Sequence, residues 1–286
     1  MEFIAKPFGV MMQFIYNTLA FENYGIAILI FTVIIKILMM PLQVKQQRSM
    51  ARTQEIQPEL AELQKTYAND REKLMEEQQK LYAKYNISMT AGCLPLLIQF
   101  PLILALYEII RRPLTYISGL SADAITKIGE VLNISAINEL EINNTLLKDS
   151  SLLAKTEGLI GEHHLINMNF LGIFDLGERP AFNPSTIMAN KSLYLPLLLI
   201  PVLSCVSAIF LQKFSMASVN KKKKDEKPQG PNVAGGMMKV MPIMSLVIAF
   251  TVPAGLGLYW TISNVLSMLQ MILVNKIFAK QKEGIL

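Results

Sequence analysis

The sequence predicts an all-α polytopic membrane protein, and three observations carry that prediction. Of its 286 residues, 52% are hydrophobic and only 17% charged, where soluble domains carry about 25% charge. The apolar residues gather into five runs, near 23–42, 93–110, 193–211, 240–253 and 254–274, and ~20 helical residues cross a hydrocarbon core about 30 Å thick. Basic residues crowd into alternate connections, as they do when those connections face the cytoplasm. The expected architecture is a five-transmembrane-helix core with a cytoplasmic helical hairpin and an amphipathic N-terminal interfacial helix.

Residues 1–22 come first. Pro7 can open a short helix on which Phe8, Met11, Met12, Ile15 and Leu19 share a face, the pattern of a helix lying on the outer membrane surface. An uncleaved targeting segment is the other reading, since a basic stretch followed by a small-residue cleavage site is missing. No cysteine stands there to carry a lipid. The first span, 23–42, ends in Met40-Pro41-Leu42 and leads into a polar segment, 43–92, with eight basic and seven acidic residues. Ile56, Leu60, Leu63 and Tyr67 make one apolar stripe, and Leu74, Met75, Leu81, Tyr82 and Tyr85 a second, with Ala68-Asn69-Asp70 as a turn between them. Two antiparallel amphipathic helices result, the first kinked by Pro58. The stripes either zip the two helices together or meet a partner.

The second span occupies 93–112 and the external region 113–190, with nine acidic residues against four basic and no repeat. Short helices or surface-lying segments are expected at Leu152–Ile160 and Leu165–Leu176. The third span is 191–212 and the basic cytoplasmic loop 213–236, which carries Lys221-Lys222-Lys223-Lys224-Asp225-Glu226-Lys227-Pro228. Such a run fixes topology and touches anionic lipid, at about 1 kcal/mol per basic residue near the surface. The fourth span, 237–253, reaches full length only if Met237 and Met238 join it and Lys239 snorkels outward. The fifth is 254–275, and the tail 276–286 is too short for a nucleic-acid domain, so no DNA partner is expected.

Orientation follows from Lys and Arg. Residues 43–92, 212–238 and 275–286 hold 17 basic residues, and the opposite side holds 8. The first set is cytoplasmic, which puts the N-terminus outside and the C-terminus inside. Arg111 and Arg112 stand against the rule at an outer boundary.

The chemistry of the spans argues against an enzyme. No span contains histidine, a Ser–His pair or a phosphate-cradling glycine loop, and a proton-coupled transporter would want an acid or histidine inside the bundle. Cys93 and Cys205 read as small buried hydrophobes. His163 and His164 are adjacent, lack ligands at metal spacing, and predict no metal site. One cation remains. Lys36 sits inside the first span with no acid at any span centre, at a cost of roughly 2.5–3.5 kcal/mol on insertion scales. Thr32 precedes it by one turn, and Gln43 and Gln47 continue its side of the helix. Gln99 lies in the second span. Trp260, Thr261, Ser263, Asn264 and Gln270 lie in the fifth. Two readings stand on the residues alone: Lys36 snorkels and the amides bond between helices, or they line a wet interior.

Three segments carry a resemblance. The second span reads Ala91-Gly92-Cys93-Leu94-Pro95-Leu96-Leu97-Ile98-Gln99-Phe100-Pro101, followed by Ala105-Leu106-Tyr107. The last spans carry Pro253-Ala254-Gly255-Leu256-Gly257-Leu258-Tyr259-Trp260 with Asn264 and Gln270. The first ends Met40-Pro41-Leu42 and leads to Gln57-Pro58-Glu59-Leu60. In this order they resemble the YidC/Oxa/Alb family of membrane protein insertases, over about 22–112 and 190–278, in the short bacterial form without a large periplasmic domain.

That resemblance implies a hydrophilic groove open to cytoplasm and lipid and closed outside, in a bacterial cytoplasmic membrane. The groove cation of the family falls at Lys36, where arginine is usual. Lysine keeps the charge but loses the planar fork that grips a carboxylate twice. Thr32 and Trp260 match other groove positions, so the expected substrate-binding residues are Lys36, Thr32, Gln99, Trp260 and Asn264. The implied function is insertion of nascent membrane proteins without cofactor or metal, with anionic lipids, the ribosome and the general translocon as further partners. The alternatives are a small-solute transporter or channel using the same polar interior, and an assembly chaperone without insertase activity.

Overall fold

In the computed structural model, residues 2–87, 94–156, 158–220 and 243–282 are described. Helix α1 (Glu2–Thr18) buries Ala5, Met12, Ile15 and Tyr16. Asn23 then accepts a hydrogen bond from the Ile26 amide at 3.1 Å, and this cap starts α2 (Tyr24–Glu55). Between Ile26 and Met40 there is neither glycine nor proline to break that helix. Helix α2 also runs unbroken through Pro41, so the apolar span and the first polar residues after it form one rod about 48 Å long at 1.5 Å per residue. Of the face expected to meet lipid, Met12 and Ile15 are buried and Phe8 and Met11 pack partly against the core, while Leu19 lies beyond the helix and is exposed. Helix α1 contacts α2 and α5 (Leu94–Arg111).

Helices α3 (Gln57–Thr66) and α4 (Arg71–Lys84) lie against each other after α2. Ile56, Leu60, Leu81 and Ile87 form their common core, with Leu63 and Tyr82 against it. Part of each stripe thus packs between the two helices, while Met75 and Tyr85 of the second stay exposed. Pro58 stands in the first turn of α3 and makes no kink, because proline there gives up an N–H that has no helical partner anyway. Asp70 caps α4 by accepting from the Lys73 amide at 3.0 Å.

Between the second and third runs the chain builds α6 (Pro113–Tyr116), α7 (Ala122–Leu132) and α8 (Glu139–Lys148). Leu114, Ile125, Ile128, Ile142, Leu146 and Ile160 give this region a core of its own. A 3₁₀ segment covers Ser150–Thr156. Residues Leu165–Leu176 do not form a helix, the first of the two forms expected there. They hold a two-stranded hairpin of β1 (Asn169–Phe170) and β2 (Phe174–Asp175), because Leu171 and Gly172 turn the chain at positive φ. His164 accepts from the Gly161 amide at 3.1 Å and serves a local turn. Among the described residues no cluster suits a metal ion.

Helices α9 (Pro184–Ala189), α10 (Lys191–Leu197) and α11 (Leu199–Asn220) follow. Helix α12 covers 243–251, and α13 (Ala254–Lys282) completes the described chain. Three described segments are long and apolar enough to cross a membrane: Tyr24–Ser49, Lys191–Ser215 and Ala254–Lys276. The expected spans 93–112 and 237–253, Cys93 and most of the loop 213–236 fall partly or wholly outside the described residues. What is described of the two spans is helical over Leu94–Arg111 and 243–251. Cys205 on α11 is a free thiol.

The 113–190 region is tied to the bundle at two places. Glu139, whose side chain is 1% exposed, accepts from Arg112 Nε at 3.0 Å, the Thr115 amide at 2.8 Å and Thr115 Oγ1 at 2.6 Å. Arg112 also approaches Glu108 at 3.6 Å. At the second place the Ala254 and Gly255 amides donate to the Glu178 and Leu176 carbonyls, both at 2.8 Å, and these cap the first turn of α13. Burial, and then Asp175, push the Glu178 carboxyl above the usual carboxylate range.

Removing the Glu139 carboxylate takes the buried acceptor from Arg112 Nε and from two Thr115 donors, and leaves Arg112 the longer Glu108 contact. Glu139→Ala should therefore cost on the order of 3 kcal/mol, and Glu108→Ala, at the longer and wetter contact, less than about 1 kcal/mol. Unfolding of the detergent-solubilised protein checks both. Equal costs would mean that Glu139 is not the tie.

Candidate groove residues

Lys36 lies on α2, three turns into the helix, and is half-buried. Its Nζ donates to Ser267 Oγ on α13 at 2.7 Å, and that hydroxyl donates in turn to the Ser263 carbonyl at 2.9 Å. No carboxylate pairs with it among the described residues. A hydroxyl is a neutral partner. It orients the ammonium and leaves its charge uncompensated.

The other expected residues divide into three environments. Gln99, on α5, donates from Nε2 to Tyr259 Oη on α13 at 2.7 Å. Tyr259, Ser263 and Ser267 follow one another at intervals of four and form a single stripe on α13. Lys36 and Gln99 thus reach the same stripe from two different helices. Thr32 is wholly buried one turn from Lys36, and its hydroxyl returns to the Ile28 carbonyl of its own helix at 2.6 Å. Asn264 faces another way. It is 7% exposed and donates to Ser207 Oγ on α11 at 3.0 Å.

Ser207 donates to the Ser204 carbonyl at 2.9 Å, and the Ser204 and Ser245 hydroxyls meet at 3.4 Å. This cluster bonds α11 to α12 and α13, as small and polar residues do where helices approach in lipid. Trp260 is half-buried beside Tyr259. Near the far end of α2, Gln47 donates to Asn275 Oδ1 at 3.2 Å.

Sequence reasoning named Lys36 and Gln99 and missed their partners Tyr259 and Ser267. The four-residue spacing of Tyr259, Ser263 and Ser267 was the available signal. For Asn264 the interhelical reading describes its contacts, and the serines on α11 were the missed half of that pair.

The arrangement puts one uncompensated cation beside a stripe of hydroxyls, on helices too apolar to be at home in water. A cation so placed would attract an acidic group. The model of the 60Kd inner membrane protein family matches residues 14–282. The membrane protein insertase YidC of Rickettsia bellii is 30% identical over 274 residues, covering 96% of this chain and 39% of that protein. That of Oceanobacillus iheyensis is 31% identical over 259 residues, 89% of this chain and 75% of its own length. The Clostridium tetani insertase YidC is 42% identical over 120 residues, 41% of this chain and 54% of that one. The chain therefore spans well under two thirds of the Rickettsia and Clostridium relatives.

Asn264→Ala should cost about 1 kcal/mol, the scale of a hydrogen bond between membrane helices. Thr32→Val, which removes only a bond within one helix, should cost little. Reversible unfolding in mixed micelles compares them, and a larger cost for Thr32→Val would refute this division of roles.

Proposed function

Because the chain belongs to the 60Kd inner membrane protein family, we propose that it is a membrane protein insertase whose groove is centred on Lys36. The observation that carries this reading is the Lys36–Ser267 contact: a half-buried ammonium between two apolar helices, held by a hydroxyl rather than a carboxylate. A short acidic tail or loop of a nascent protein enters from the cytoplasmic side and finds that cation. At an effective dielectric near 20, charges ~4 Å apart attract by about 4 kcal/mol, less once screened. The polar stripe of Tyr259, Ser263 and Ser267 shortens the apolar barrier for the tail. Burial of the substrate's own hydrophobic helix in lipid then drives the transfer, at ~25 cal/mol per Å².

The remaining parts take their places in the same reading. Five spans, 23–42, 93–112, 191–212, 237–253 and 254–275, form the core, with the N-terminus outside and the C-terminus in the cytoplasm. The hairpin within 43–92 receives the substrate first. The basic loop 213–236 rests on anionic lipid, and the ribosome and general translocon are partners on the cytoplasmic side. Trp260 borders the groove, Gln99 ties α5 to α13 beside it, and Thr32 lies one turn from Lys36 on α2.

Lys36→Glu should abolish insertion of substrates with acidic tails, whereas Lys36→Arg should preserve it. Lys36→Ala should slow it by at least about tenfold, a part of the Coulomb term, and leave neutral-tailed substrates unaffected. Protease protection of the tail in proteoliposomes measures all three. Normal insertion of acidic tails by Lys36→Ala would remove the electrostatic step.

A further inference from the structure

Two bulky apolar residues occupy backbone positions that disfavour them twice over. Phe21 and Leu171 have φ of 51° and 55°, in the left-handed region that glycine and asparagine fill most cheaply. They are also 88% and 70% exposed. A hairpin turn in water would carry Asn-Gly where this one carries Leu171-Gly172. Neither side chain contributes to the core, so folding alone gives no reason for either.

They are brought to the same end of α2. Phe170 lies so close over Gly25 that a Cβ there would overlap its ring, which seats the hairpin on the first turn of α2, just after Phe21. Ile173 is exposed on the same hairpin. Phe182, also exposed, meets the Phe250 ring edge-on at 6.3 Å, near the end of α12. Each of these four side chains therefore stands where an apolar helix meets the external region. Below them the exposed surface stays apolar, through Leu29 and Ile37 on α2 and Ile243 and Val247 on α12. Whatever covers those helix faces covers these side chains too.

We propose that Phe21, Leu171, Ile173 and Phe182 enter the acyl region of the outer leaflet and anchor the external region to the membrane surface. The occupant is lipid, because the patch continues the lipid-facing sides of two helices rather than closing into a groove of its own. Strand β2 leads directly to the Leu176 and Glu178 carbonyls, which accept from the first amides of α13. An anchored hairpin thus holds that cap in place while a substrate moves through the bundle below.

The proposal rests on the spans assigned above and is independent of insertion activity. Leu171→Trp and Phe182→Trp are each reconstituted into phosphatidylcholine vesicles brominated near the headgroup or near the chain end, with the Trp260 emission of the unmodified protein subtracted. Val206→Trp, on the exposed side of α11, reports whether that helix spans, and Lys155→Trp reports the aqueous part of the external region. Both hairpin-side tryptophans should lose roughly half their emission to the shallow bromines, as expected for side chains seated at the headgroup–acyl boundary, and Lys155→Trp none. If Val206→Trp is quenched by the deep bromines while positions 171 and 182 are not, the anchor is wrong. Blue-shifted but unquenched emission at both positions means that protein covers the patch, which also overturns it. If Val206→Trp is unquenched, the span assignment fails and the anchor with it.

Discussion

Helix α13 is where the bundle meets. A polar side chain in hydrocarbon must find a partner, since an unsatisfied group costs several kcal/mol there. Gln99 of α5 bonds to Tyr259, Lys36 of α2 to Ser267, and Ser207 of α11 to Asn264. Gln47 reaches Asn275 beyond them. Two glycines allow the close approach this needs. A Cβ at Gly257 would come within 2.6 Å of Ile200 Cγ2, and one at Gly255 within 3.2 Å of the Leu176 carbonyl. The helix is thereby fixed on three sides and at its N-terminus, and the stripe that faces Lys36 keeps its register.

Such an arrangement separates the hydroxyls that hold the helices from the charge that is left over. Asn264 and its serines satisfy one another and contribute packing. Lys36 is bonded but not neutralised, and that difference makes it the functional candidate. Arg112 shows the contrast. It too is a cation at the end of an apolar helix, but Glu139 and Glu108 surround it. Its use is to lock the 113–190 region onto the second run. Arg111 lies over the Tyr107 ring at 5.5 Å, where a guanidinium is also well accommodated.

How much of this the residues announced depends on the range of the interaction. Helix positions follow from apolar runs and local caps, so α2, α11 and α13 were legible, as was Lys36, an isolated charge in an apolar run. The external region was not. Its core pairs Leu114 with Ile142 and Leu146 across sequence distances that no periodicity records. Its hairpin turns on Leu171-Gly172, where only the glycine belongs to the usual turn chemistry. Pro58 misled for a related reason: proline kinks a helix interior but starts a helix equally well, and the boundary at Ile56 is set by the packing of α3 on α4. The serines on α11 look like ordinary small residues until Asn264 is placed opposite them.

The central claim is that a substrate passes beside Lys36, and a photocrosslinker at position 36 tests it most directly. A benzophenone amino acid is placed there and the membranes are presented with a stalled nascent chain carrying an acidic tail. Crosslinks to the tail and the adjoining hydrophobic segment are the result this account predicts. If position 36 crosslinks only to the protein itself, while the same probe in the 43–92 hairpin captures the nascent chain, the substrate path lies elsewhere and Lys36 is a structural residue.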